Sequence, residues 1–151
     1  MTPRKPTTAE MDLLKELRWK MDGIKDDFER EVFKYICFQF QEYKRGNRET
    51  KQVTKEQILR YLVRKGLVRE RADGSLPDDR KVREAASSLL RRGLPIVATA
   101  HKKGYFVAET PEEINVTRRE YRSRINRMLD VEKGCDAAVA MLMGQGRIFG
   151  A

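Results

Sequence analysis

The chain has 151 residues, 40% of them hydrophobic, and a formal net charge of +9 from 32 Lys+Arg against 23 Asp+Glu. That apolar content can build a core, which excludes global disorder, and the length suits one ordinary domain with helical extensions. The excess of cations favours a polyanionic partner, because neutralising phosphates releases their counterions.

Cys37 and Cys135 lie far apart with no CxxC, so there is no disulfide framework, and a reducing compartment is expected. Residues 1–7 carry two prolines and two basic residues and read as a disordered arm. No apolar stretch follows them, so they do not read as a signal peptide. No run approaches the ~20 apolar residues of a membrane span.

A first helix is predicted from Thr8 to Met21, with Thr7 and Glu10 at capping-box spacing and Met11, Leu14, Leu17 and Met21 on one stripe. A second runs from about Asp26 to Lys44. Its apolar residues, from Phe28 to Phe40, cover most of the circumference, so it should pack on two sides. Lys51–Val53 can form a very short strand. Thr54-x-x-Gln57 then opens a third helix, with Ile58, Tyr61 and Leu62 inward and Gly66 at its end. Residues 67–77 read as a loop tipped by Asp73-Gly74.

A fourth helix is predicted from about Asp78 to Arg92. At 100° per residue, Val82, Ala85, Ala86 and Leu89 share its buried face. Arg80, Glu84, Ser87 and Arg91 lie opposite, flanked by Lys81, Arg83 and Ser88. Pro95–Thr99 and Tyr105–Ala108 are rich in strand formers and form a hairpin with a basic tip. Thr110-Pro-Glu-Glu113 opens a last helix that reaches about Met143, with Gly134 as a possible break.

The fold class is mostly α (α+β), and the order is helix, short strand, helix, loop, helix, hairpin. Its residues include Gln52-Val-Thr-Lys-Glu-Gln-Ile58, Asp78-Asp-Arg-Lys-Val-Arg-Glu-Ala85, Leu89-Leu-Arg-Arg-Gly-Leu-Pro-Ile96 and Lys103-Gly-Tyr-Phe-Val-Ala-Glu-Thr110. This stretch resembles the winged helix-turn-helix superfamily, in particular its small phage- and prophage-encoded members. The resemblance covers a little over half the chain, and its loop between the third and fourth helices is longer than a standard tight turn. It implies a winged-helix domain over 28–109, after a helical extension at 8–27 and before a C-terminal helix at 110–143 and a flexible tail at 144–151. It also implies sequence-directed binding of double-stranded DNA, as a regulator or replication accessory, in the cytoplasm of a bacterial or archaeal host.

On that reading the fourth helix offers Arg80, Lys81 and Arg83 to base edges, with Ser87 and Arg91 further along. His101, Lys102 and Lys103 at the hairpin tip suit phosphate or minor-groove contact. On the last helix Tyr121, Ile125, Met128, Cys135, Val139 and Leu142 recur at three- and four-residue steps, which predicts a homodimer seam interrupted by Glu132. The same stripe could instead fold back on the second helix. Two other functions stay open. One is a winged-helix module that binds a host or phage protein such as a polymerase or replisome component. The other is an RNA binder that uses the five arginines between Arg118 and Arg127.

Catalysis is not expected. One histidine builds no common triad, and no GxxxxGK[ST] motif is present. Cys37, His101 and Cys135 are too few and too scattered for zinc, so no metal or other cofactor is expected.

Overall fold

The computed structural model describes residues 7–99 and 104–148. Among the described residues, five helices and one antiparallel hairpin follow in the order α1 (Thr8–Met21), α2 (Asp27–Lys44), α3 (Lys55–Arg64), α4 (Arg80–Arg91), β1 (Ile96–Thr99), β2 (Gly104–Val107) and α5 (Pro111–Ile148). The protein is therefore mostly helical with a small sheet. It divides into two compact units, Met1–Ile114 and Asn115–Ala151. The helical extension at 8–27 belongs to the first unit's core, where Leu17 and Ile24 are buried.

In the first unit α2 is the central element. It touches α1, α3, α4 and β2, and it buries Val32, Phe33, Ile36, Cys37 and Phe40. Asp26 caps it by accepting from the Glu29 N–H at 2.9 Å. The wide apolar girdle has one gap, because Phe38 is 52% exposed. Burial pushes the Cys37 thiol up to about 12, so it stays protonated and unreactive at neutral pH.

The capping box of α3 is complete: Thr54 Oγ1 accepts from Gln57 N–H at 3.2 Å and Gln57 Oε1 accepts from Thr54 N–H at 2.9 Å. Gly66 follows the helix with φ of 75°, the left-handed conformation that glycine adopts without steric cost. Ile58, Leu59 and Leu62 are buried and Tyr61 is half-buried, stacked on Tyr35 at 4.5 Å.

The expected strand at Lys51–Val53 is reduced to one bridge. Val53 and Tyr105 exchange two backbone hydrogen bonds of 2.8 Å. Gly104, beside this bridge, has a backbone reason to be glycine: a Cβ there would stand 3.0 Å from the Val53 carbonyl oxygen. The hairpin pairs Ile96 with Val107 and Thr99 with Gly104.

An ion cluster closes the base of the hairpin. Lys51 Nζ donates to Glu109 at 2.9 Å and to Glu113 at 2.8 Å, Lys44 pairs with Glu109, and the Lys51 ammonium sits 5.0 Å from the Phe106 ring centroid. Thr110 caps α5 by accepting from Glu113 N–H at 3.4 Å. The expected box does not close, because the Glu113 carboxylate accepts from the Glu109 N–H instead and faces Lys51.

Burial alone would raise the Glu109 carboxyl, but hydrogen bonds and charge from Lys44 and Lys51 outweigh it and hold the group below its ordinary 4.5. A depressed folded pKa stabilises the fold above the unfolded value, and that contribution is lost as pH falls through the folded one. Urea midpoints are therefore expected to fall as pH drops below 4.5, and to fall less steeply in Glu109→Gln than in the parent. Parallel pH profiles would show that the cluster does not couple folding to protons.

The second unit is the remainder of α5. It runs through Gly134 without a break and reaches Ile148, past the expected end at Met143. One glycine costs a helix only about 1 kcal/mol relative to alanine, and Ala137, Ala138, Met141 and Leu142 beyond it are good helix formers. The segment 144–148, expected to be a loose tail, is thus helical.

Candidate nucleic-acid interface

The candidate surface is built on α4. Its inner face buries Val82, Ala85, Ala86 and Leu89, while Leu90 on the flank is half-buried. The two alanines bring the α4 backbone close to its neighbours, and α2 is the helix it touches most. Fixing that face turns Arg80, Lys81, Arg83, Ser87 and Arg91 outward, and all five are exposed.

The charge placement at the start of α4 runs against helix electrostatics. α2, α3 and α5 each carry carboxylates in the first turn, and α4 carries none. Arg80, Lys81 and Arg83 stand there instead, at the positive end of the helix dipole, where cations are disfavoured by ~0.3–1 kcal/mol each. Partial compensation comes from the preceding aspartates. Asp78 Oδ1 accepts from the Arg80 N–H at 3.1 Å, and Asp79 Oδ1 lies 3.5 Å from Arg83 Nε. Arg80 also meets Glu84 at 3.1 Å. Pairs this exposed contribute ~0–1 kcal/mol, so a phosphate or a guanine edge can displace them at little cost.

Tyr105 links this turn to the hairpin. Its phenol is pushed up to about 12, first by burial and then by the Asp79 carboxylate, with Arg83 acting in the opposite direction. The hydroxyl therefore remains a neutral donor beside the basic turn.

Five further exposed cations escaped the sequence reading: Arg60, Arg64 and Lys65 at the end of α3, and Arg69 and Arg71 in the loop. Their signal was available. Arg60 and Arg64 are four residues apart, on the side of α3 away from Ile58 and Leu62. The loop itself is ordered by a turn in which Arg71 N–H donates to Ser75 O at 2.9 Å and Asp73 accepts from Ser75 N–H at 2.9 Å. The hairpin-tip residues His101, Lys102 and Lys103 lie outside the described residues.

On α5, Arg118, Arg119, Arg122, Arg124 and Arg127 are all exposed, as are Tyr121, Ile125, Met128, Val139 and Leu142. Among the described residues no group of three or more His, Cys, Asp or Glu side chains is placed to hold a metal ion. No helix among them is long and apolar enough to cross a membrane.

No family model, curated protein or solved structure matches this chain.

Proposed function

We propose that the first unit is a winged helix that binds double-stranded DNA in a sequence-directed way, with α4 as the recognition helix and the β1–β2 hairpin as the wing. The observation that carries this reading is the first turn of α4, which lacks the carboxylates that α2, α3 and α5 carry there and presents three exposed cations. The element order supports it. A helix, a one-residue bridge, a helix, a loop, a helix and a hairpin packed around α2 are the parts such a domain needs. Arg80, Lys81 and Arg83 stand at the end of the helix that enters the major groove deepest in such domains. Ser87 and Arg91 extend the contact, and Arg60, Arg64, Arg69 and Arg71 add cations for phosphate. The activity is binding, as a regulator or replication accessory, with no chemical step and no cofactor.

The test of the wing is a salt titration. Lys102→Ala with Lys103→Ala is expected to lower affinity for all duplexes alike. It should reduce the slope of log K against log salt by about two charges' worth, read by fluorescence anisotropy on a labelled duplex. An unchanged slope would remove the hairpin tip from the interface, and failure of the parent to bind duplex at low salt would overturn the reading as a whole.

A further inference from the structure

We infer that α5 is the contact between two copies of this chain, and that the two helices run antiparallel about a two-fold axis at Asp130. The second unit is a single helix whose apolar side chains stay in water: Ile125 is 53% exposed, Met128 71% and Val139 54%. Helices in water gain most of their stability by packing an apolar face. α2 has that role in the first unit, where it packs against α1, α3, α4 and β2 and leaves Phe38 exposed.

Charge and register identify the occupant and its direction. The seam positions Tyr121, Ile125, Met128, Glu132, Cys135 and Val139 follow a heptad through Gly134 without a break. In an antiparallel pair centred on Asp130, residues equidistant from the axis face each other. Tyr121 meets the partner's Val139, Ile125 the partner's Cys135, and Met128 the partner's Glu132. This register overlaps the whole exposed length of the helix. Flanking positions pair one residue off the seam register, so Leu129 and Val131 each meet their own copy beside the axis. Arg122 meets the partner's Asp136, and the symmetric contact repeats it. The arginine-rich stretch 118–127 of each copy thus lies along residues 133–142 of the other, where Asp136 meets Arg122.

The parallel arrangement fails on the same residues. It would face Glu132 with its own copy in the seam, set Leu129 against Arg124 and Val131 against Asp136, and align the two arginine-rich stretches. A second copy running antiparallel removes all four conflicts. In the pair the two helices overlap as a rod about 45 Å long, at 1.5 Å per residue. This inference stands apart from the DNA reading and is tested without DNA.

The native Cys135, exposed and free, makes the direction measurable. In the antiparallel pair the two Cys135 residues are about 15 Å apart along the rod, beyond the ~7 Å Cα separation a disulfide tolerates. In an in-register parallel pair they face each other. The full chain is expected to sediment as a dimer at tens of micromolar, roughly where a weak association still registers. Oxidised with copper–phenanthroline, the parent should form little covalent dimer, whereas Ile125→Cys should convert largely to a dimer whose mapped bond joins positions 125 and 135.

A charge swap gives an independent reading should Ile125→Cys weaken the pair. Arg122→Asp alone is expected to weaken dimerisation roughly tenfold, through loss of two ion pairs and gain of two repulsions, and adding Asp136→Arg should restore it. A monomeric parent, a Cys135–Cys135 bond accumulating in it, or a double variant no tighter than Arg122→Asp would each overturn the proposal.

Discussion

Phe33→Ala is expected to destabilise the first unit by about 3–5 kcal/mol, the usual cost of deleting a fully buried aromatic ring. Phe33 has no exposed surface and stands on the helix that α1, α3, α4 and β2 all touch. A cavity in a close-packed core closes only in part, so the lost contacts are not recovered. Domains of this size hold ~5–15 kcal/mol in total, so the variant loses a large share of that stability. Phe38→Ala on the same helix is the control. Phe38 is 52% exposed, and its removal should cost under about 1 kcal/mol. Urea unfolding followed by circular dichroism measures both. Equal losses would mean that α2 is not the centre of the core.

The second large effect concerns recognition. Arg80→Ala and Arg83→Ala are each expected to weaken binding to a preferred duplex by about 1–3 kcal/mol if they bond bases, and together by roughly 30-fold to 10⁴-fold. Stability should hardly move. Both side chains are exposed, and each leaves only a surface pair, with Glu84 or Asp79. Removing cations from the positive end of the helix dipole even favours the helix slightly. Loss of binding without loss of stability is the signature to seek in anisotropy titrations of the double variant. A double variant that binds the preferred duplex as the parent does would show that α4 is not the reader.

Much of this arrangement is legible in the sequence, because the first unit uses local rules. The 100° spacing separates Val82, Ala85, Ala86 and Leu89 from Arg80, Ser87 and Arg91, and the burial in the structure follows it. Thr54 and Gln57 announce their capping box three residues apart. What stayed hidden depends on partners distant in sequence. Lys51 reads as an ordinary surface lysine until β2 and the start of α5 bring Phe106, Glu109 and Glu113 to it. The Lys51 ammonium and the Glu109 N–H draw the Glu113 carboxylate away from the capping box its spacing predicts. Phe38 looks interior by its type, and only the packing of α1 and α3 around α2 shows that it is left out. Gly134 looks like a break because glycine is a poor helix former, yet good formers on both sides carry α5 through it. The cations of α3 and the loop were visible one by one, but nothing local marks them as companions of α4.

Selection from a pool of random duplexes tests most directly the proposal that α4 reads double-stranded DNA. The full chain is immobilised, bound duplexes are recovered over several rounds, and the enriched sequences are titrated against scrambled ones at physiological salt. Enrichment of a motif bound 10³-fold or more tighter than scrambled duplex, typical of specific recognition, with that preference lost in the Arg80→Ala, Arg83→Ala double variant, is the result predicted. A pool that emerges unenriched, or a motif that the double variant still prefers, would contradict it.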